Sequence, residues 1–350
     1  MKVLYLTKYT RKGASSRMRS YQFFPNLEQH GMQITVRPLF NDEYLTQLYN
    51  EEKISKGNLL KCYLKRFFVL FSVLKYDKIV VEKELFPYLP AWPEIILSKI
   101  KGYIADYDDA IFHNYDLSTN RVIRFFLKRK IDVVMKNSQL VVAGNEYLAD
   151  RAKSAGAQNI IRIPTVIDLD RYSVKNDYSS DQIKIGWIGS PSTLWHLKPF
   201  TDLFNELVAL HNVKIIIIGA TEKFGVTHNI EYINWSEESE VAEMLKFDIG
   251  IMPLTETPWV MGKCSFKLIQ YMGCALPVVA SPVSMNNEVV DVGVNGFLAT
   301  TPEEWKVALE KLIFDESLRK RFGQAGRKKV EEIYNLETNS GKIIKILASD

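Results

Sequence analysis

Short apolar runs alternate along this chain with longer stretches of helical spacing. Residues 3–6, 33–37, 78–81 and 140–143 read as strands of a first series. Residues 103–112 add a strand that runs into acids. Residues 183–188, 213–218, 248–253 and 277–280 make a second series. Such runs, apolar with little alternation, are those of strands buried on both faces of a parallel sheet. Between them lie helical patterns. Residues 265–272 place Phe266, Ile269 and Met272 on one apolar face, and Gly273 and Pro277 punctuate the end. Residues 121–137, 318–334 and 336–347 are further helical stretches, and Pro302 starts another. The polar stretch 175–182 separates the two series and reads as a linker. Two consecutive strand–helix series imply an α/β chain of two Rossmann-like domains.

Residues 59–74 (LLKCYLKRFFVLFSVL) are apolar on most faces, with Lys61, Lys65 and Arg66 near the start. Two readings stay open: a core-packed helix, or a helix lying on the inner leaflet of a membrane with its basic residues at the headgroups.

The 350 residues suffice for two domains of ordinary size, and 47% hydrophobic with 25% charged residues is a globular composition. The net charge of +4 hides an asymmetry. Residues 1–165 hold 26 Lys and Arg against 16 Asp and Glu, and the remainder holds 19 against 25. A basic first half suggests an anionic partner, either a membrane surface or a diphosphate-linked acceptor. No nucleic-acid-binding motif is present, so nucleic acid is not expected. Cys62, Cys264 and Cys274 are widely spaced, which indicates neither a disulfide framework nor a zinc site and fits a reducing cytoplasm. The N-terminal run 1–7 reads as a strand rather than a signal peptide, and no stretch reaches the ~20 apolar residues of a spanning helix.

Candidate chemistry gathers at strand ends. Gly262, Lys263, Lys267 and Gln270 surround the start of the helix at 265–272. Helix N–H groups and two lysines suit a diphosphate there, and Gln270 could reach a ribose hydroxyl. Gly189, Ser190, Ser192 and Thr193 follow the strand at 183–188, where glycine and hydroxyls can hold phosphate or sugar oxygens. Trp235 is a stacking candidate for a base. Glu288 either contacts the nucleotide sugar or is a helix-start acid stabilised by the dipole. In the first half, Gly13, Ala14, Ser15, Ser16, Arg17 and Arg19 form a loop with small residues for close approach, a serine to cap a helix, and arginines to clamp phosphate. Asp108 and Asp109 follow the strand at 103–107. Their carboxylates alone do not define a metal site.

These stretches resemble the family 4 glycosyltransferases. The resemblance rests on GASSRMR at 13–19, DYDDAIF at 106–112, GSPST at 189–193, and the segment 262–288 with YMGCALPVVAS and Asn287-Glu288, followed by GVNGFL at 293–298. It implies a GT-B fold, two Rossmann-like domains facing a cleft, with C-terminal helices returning to the N-terminal domain. The implied organisation is an acceptor domain at 1–170, a nucleotide-sugar domain at 183–325, and returning helices at 326–350. It also implies transfer with retention from a nucleotide sugar, without metal or other cofactor, and the basic first half with the apolar stretch 59–74 points to a glycan or lipid-linked acceptor in cell-surface polysaccharide assembly. Lys267, Lys263 and Asp109 are then the catalytic candidates. The sequence departs from the family at Asp108, where many members carry histidine, and His113 lies a few residues on. No arginine follows Gly189, and Lys198 is the nearest base, which places more weight on Lys263 and Lys267. The rivals are a nucleotide-sugar epimerase of the same fold and a non-catalytic sugar-nucleotide-binding protein. A dehydrogenase is disfavoured, since no GxGxxG follows a first strand.

Overall fold

A computed structural model describes residues 1–50, 52–221 and 224–349. The chain divides into two units. The first holds Met1–Thr165, Gly262–Cys264 and Leu336–Asp350, and the second holds Val166–Met261 and Ser265–Asn335.

In the first unit, β1 (Lys2–Leu6), β2 (Gln33–Val36), β3 (Lys78–Glu82), β4 (Ile104–Tyr107), β5 (Leu140–Ala143) and β6 (Ile160–Arg162) form one sheet in the order β2-β1-β3-β4-β5-β6. All its pairings are parallel, with Val3 opposite Lys78 across β1 and β3. In the second unit, β7 (Ile183–Ile188), β8 (Val213–Ile218), β9 (Ile230–Ile233), β10 (Ile249–Met252), β11 (Val278–Ala280) and β12 (Gly296–Leu298) pair in the order β12-β11-β10-β7-β8-β9, again all parallel. Strand order reverses between β1 and β3 in the first sheet and between β7 and β10 in the second. Such switch points leave a crevice beyond the carboxyl ends of the strands, where open α/β sheets bind ligands. Beneath the second sheet, Trp187, Phe204, Trp305 and Phe322 fill a core of buried aliphatic side chains.

Four sequence expectations change. Residues 175–182 are not a free linker. Lys175 Nζ pairs with Asp248 at 3.0 Å, Tyr178 is buried with its hydroxyl on Ala275 O at 2.7 Å, and Arg319 donates to Tyr178 O at 2.7 Å. The chain changes unit at Thr165–Val166 instead, so residues 166–170 fall outside the first unit. The return to the first unit falls at Asn335, not near 326. The helix Glu316–Ile333 stays in the second unit because Gly323 and Gly326 leave room for Ala275 and Met272, which a Cβ at either position would strike at 2.0 and 2.9 Å. Of these two helices, Leu336–Ala348 returns. The stretch 121–137 is two helices, Arg121–Leu127 and Lys130–Asn137, not one.

Finally, the helix Lys56–Leu70 is not core-packed on its apolar stripe. It buries Asn58, Cys62 and Arg66, and leaves Leu60, Leu64, Phe67 and Phe68 exposed. Arg66 takes the inner face because its guanidinium donates to Thr7 O at 2.6 Å and Arg37 O at 2.9 Å, holding two strand-end carbonyls. Among the described residues, no helix is long and apolar enough to cross a membrane.

Candidate functional site

In the second unit, the loop after β7 carries Gly189, Ser190, Ser192 and Thr193, the helix Phe266–Gly273 after β10 carries Lys267 and Gln270, Trp235 follows β9, and Glu288 follows β11. The loop after β7 begins at Gly189, whose N–H donates to Ile218 O at 2.9 Å. A Cβ on Gly189 would lie 2.5 Å from the Trp187 ring and 2.7 Å from Lys267 Nζ. Gly219, at the end of β8, has φ +87°, and a Cβ there would lie 2.5 Å from Gly189 O. Only glycine permits both the backbone angle and that approach. Lys267 Nζ sits 4.2 Å from the centroid of the Trp187 ring, a cation–π contact. Ser190 and Ser192 are exposed, their hydroxyls 2.9 Å apart, and Thr193 donates to Ser190 O at 2.9 Å. After β10, Leu254 N–H donates to Ser281 Oγ at 3.0 Å and Thr255 N–H to His196 Nδ1 at 3.1 Å. The loops at the switch point are therefore tied to one another. Exposed hydroxyls, backbone amides and one lysine at the start of the helix Phe266–Gly273 offer donors to an anion.

Trp235 and Gln270 meet through Glu240, a buried acid that sequence reasoning passed over within a polar acidic run. Trp235 Nε1 donates to Glu240 Oε2 at 2.9 Å. Gln270 Nε2 donates to the Tyr172 hydroxyl at 3.0 Å and reaches Glu240 Oε2 at 3.5 Å. Gln270 is buried, and its amide serves this network. Glu288 is exposed on the short helix Asn286–Val289, and its carbonyl accepts from Lys329 Nζ at 2.7 Å.

At the β1/β3 switch point of the first unit a second cluster forms. The helix Ala14–Arg19 starts at Gly13, which takes the cap position without a side-chain bond. Ser15 and Ser16 are not its cap. They lie inside the helix, and their side chains serve acids instead. Ser15 Oγ donates to Asp108 Oδ2 at 2.6 Å, and Ser16 Oγ donates to Glu82 Oε1 at 2.9 Å. Lys83 Nζ reaches Ser15 Oγ at 2.8 Å and Asp108 Oδ1 at 2.9 Å. Arg19 is not a free phosphate clamp. Its guanidinium forks onto Asp106 at 3.0 and 2.5 Å and donates to Ile163 O at 2.8 Å. Arg17 is buried and Ala14 exposed.

Lys263 belongs to this first unit, whereas Lys267, four residues on, belongs to the second. Lys263 Nζ pairs with Asp109 Oδ2 at 3.0 Å, which joins two of the three catalytic candidates. Asn145 Nδ2 donates to Lys263 O at 3.0 Å, Cys264 Sγ lies 3.3 Å from Asp108 O, and a Cβ on Gly262 would lie 2.4 Å from Ala110 N. His113 is occupied with Asp116 at 2.7 Å and the Tyr147 hydroxyl at 2.8 Å.

The electrostatics follow from burial against pairing. Burial works to raise the Asp108 carboxyl, but Lys83, Arg19 and the Ser15 hydrogen bond outweigh it and hold it well below the usual carboxylate range. Burial works to lower the Lys83 ammonium, yet Asp108, Glu82 and Asp109 raise it. Burial pushes Glu82 up to about 7, with Lys83 pulling the other way. It also pushes the Cys264 thiol up to about 12. Glu82 and Lys83 carried no signal in sequence beyond their place at a strand's carboxyl end.

Known proteins share this architecture. The chain is similar to the sucrose-phosphate synthase of Thermosynechococcus elongatus at 12% identity, with 99% of this chain and 98% of that one covered and a TM-score of 0.76. It is similar to Anabaena HepE, solved in complex with UDP-glucose, at 18% identity over the full length of both chains, TM-score 0.67. The fold is GT-B. Within it, residues 182–315 match the family model described as Glycosyl transferases group 1, a span that lies in the second unit. Among curated proteins, N-acetyl-alpha-D-glucosaminyl L-malate synthase of Bacillus anthracis is 23% identical over 237 residues, covering 63% of this chain and 60% of that protein. The chain spans less than two thirds of the length of the curated relatives it matches. The loop Gly189–Thr193 and the Lys267 helix start lie in the unit that carries the group 1 match.

Proposed function

We propose that this protein is a glycosyltransferase of the family 4 type. It moves a sugar, with retention, from a nucleotide-sugar donor to a glycan or lipid-linked acceptor in cell-surface polysaccharide assembly. The observation that carries this reading is the position of Lys267 Nζ against Gly189 and Trp187, at the β7/β10 switch point of the unit that matches the group 1 model. The UDP-glucose complex of the similar HepE protein supports a nucleotide-sugar donor.

In this reading the second unit binds the donor. As the glycosidic bond breaks, negative charge grows on the leaving diphosphate. Lys267 and the N–H groups of the helix Phe266–Gly273 stabilise that charge more in the transition state than in the ground state. The exposed Ser190 and Ser192 hydroxyls bind phosphate or sugar oxygens. Trp235 offers a ring to the base, set by its bond to Glu240. The first unit binds the acceptor, with Asp109 and Lys263 as the polar pair that positions its hydroxyl. In this reading transfer needs no metal, and Asp108 and Asp109 each have a lysine partner within 3.0 Å. The basic first unit favours an acceptor met at the inner, cytoplasmic face of a membrane, with the protein peripheral.

The test is a thermal-shift panel of nucleoside diphosphates and their sugars, with and without chelator, followed by product analysis. A ligand at 100 times its Kd adds about 2.7 kcal/mol to stability. A single responding base, unaffected by chelator, and sugar-bearing product with an acceptor would support transfer. Isomerised sugar nucleotide would identify an epimerase instead. Binding without release of nucleotide would leave a non-catalytic sugar-nucleotide-binding protein.

A further inference from the structure

The outer face of the helix Lys56–Leu70 and its cap residue Phe71 is apolar where a water-facing helix is ordinarily polar. At about 100° per residue, Leu60, Leu64, Phe67, Phe68 and Phe71 fall within an arc of about 100°. That arc lies opposite the buried Asn58, Cys62 and Arg66. Phe68 is 67% exposed and Phe71 73%. The three phenylalanine rings lie against one another in the open, with Phe67 5.9 Å from Phe68 and 5.3 Å from Phe71. Lys61 and Lys65 flank the stripe, both exposed. No Asp or Glu occurs anywhere in residues 53–76.

A second element of the same unit repeats the pattern. In the helix Arg121–Leu127, Phe125 and Phe126 are 74% and 73% exposed and pack edge to face at 5.0 Å. Arg121 and Arg124 are exposed beside them, and residues 117–131 contain no acid. The two helices are joined through the loop after β3. Tyr63 donates to Pro87 O at 2.8 Å, and Tyr88 packs on Tyr115 at 5.6 Å, ahead of the second helix.

We propose that these two helix faces dock the first unit on an anionic lipid bilayer, with the phenylalanines at the acyl boundary and the lysines and arginines at the headgroups. The choice of partner deepens the reading of a membrane-linked acceptor and rests on it. The charge pattern selects the occupant. A second copy of the chain would bring Lys61, Lys65, Arg121 and Arg124 against cations like themselves, with no acid in residues 53–76 or 117–131 to pair them. An anionic surface instead attracts every charge on the face, and the exposed rings bury without needing a partner's shape.

The test is co-sedimentation of the full chain with vesicles of phosphatidylcholine alone and of phosphatidylcholine with phosphatidylglycerol, at low and high salt. We expect binding to the anionic vesicles that weakens with salt. The triple variant F67S/F68S/F71S, the pair F125S/F126S and the pair K61E/K65E should each weaken it by about tenfold or more. The same variants are read for their thermal midpoint and for their response to nucleotide sugar, neither of which should move, since these side chains touch neither cluster. Absent or salt-independent vesicle binding by the wild type, or undiminished binding by all three variants, overturns the docking surface. Concentration-dependent dimers that the phenylalanine variants abolish would also overturn it, in favour of self-association. Loss of vesicle binding with the nucleotide-sugar response kept supports it. A chain that binds vesicles as described but ignores every nucleotide sugar keeps the docking surface and removes the glycosyltransferase reading alone.

Discussion

Lys83 Nζ lies 2.9 Å from Asp108 Oδ1, and both contact the hydroxyl of Ser15. Lys83 holds this place with φ +67°, a left-handed angle rarely adopted by residues other than glycine. Such strain persists where surrounding contacts over-determine it, and here the contacts are an ion pair and a hydroxyl at a sheet's switch point.

Replacing Lys83 by Met should leave Asp108, whose side chain is 14% exposed, without its nearest cation. Breaking a buried pair from one side costs about 3–5 kcal/mol. Urea denaturation of Lys83→Met measures this, and Lys83→Arg should recover part of the loss. An unchanged midpoint in Lys83→Met would mean that the pair contributes nothing to stability.

Lys267→Ala should lower turnover of the nucleotide-sugar donor by roughly 10²–10³ with the fold intact, as for loss of one donor to a developing anion. Gly189→Ala approaches the same site from the other side. Its new methyl would meet the Trp187 ring at 2.5 Å and Lys267 Nζ at 2.7 Å, so it should displace the ammonium and weaken donor binding. Steady-state rates of both variants against donor concentration check this. Near-wild-type turnover in Lys267→Ala would remove the residue from the chemistry.

Glu82 makes stability fall with pH in a defined window. Its ordinary value is 4.5 and its value in the fold is about 7. Below about pH 4.5 the carboxyl is protonated in both folded and unfolded chains and contributes no slope. Between about 4.5 and 7 the folded chain keeps the proton while the unfolded chain loses it. Stability therefore declines across this window, and the decline is complete above about 7. Denaturation midpoints of wild type and Glu82→Gln, compared across these pH values, should differ in slope by this one group. Parallel curves would show that Glu82 does not titrate there.

Gln270→Glu tests the network around Glu240. A carboxylate at 270 would face Glu240, which Gln270 Nε2 now approaches to 3.5 Å, and would lose the donated bond to the Tyr172 hydroxyl. Leaving buried polar groups unsatisfied costs about 1–3 kcal/mol each. We expect a lower thermal midpoint, with nucleotide affinity reduced only through Trp235, whose ring is set by Glu240. A raised nucleotide affinity at unchanged stability would instead indicate a direct ribose contact at residue 270.

Most strands of the two sheets could be read from the sequence, because strands buried on two faces leave continuous apolar runs such as the one at 213–218, whereas the partly buried edge strands β6, β9 and β12 leave no such run. The loops at their carboxyl ends could be read for the same reason, since the polar residues that interrupt those runs include Gly189–Thr193 and Asp108–Asp109. The partners of those residues could not be read. Ser15, Lys83 and Asp108 lie on three different segments, and only the strand order β1-β3-β4 brings them together. Burial of Gln270 against Glu240 likewise depends on tertiary packing.

Sequence alone determined that this chain builds two parallel α/β units and where the loops at their strands' carboxyl ends begin, because apolar periodicity and strand termini are local properties. Tertiary structure alone decided which charge meets which, and which way the apolar helices face. Lys267 lies four residues after Lys263, yet they belong to different units. The run at 59–74 is apolar almost throughout, and its composition is compatible with either face turning inward. Arg66 settled the choice, since its guanidinium meets the Thr7 and Arg37 carbonyls inside and leaves the phenylalanines outside. A buried carbonyl needs a donor, and that requirement is a property of the packed fold rather than of any stretch of sequence.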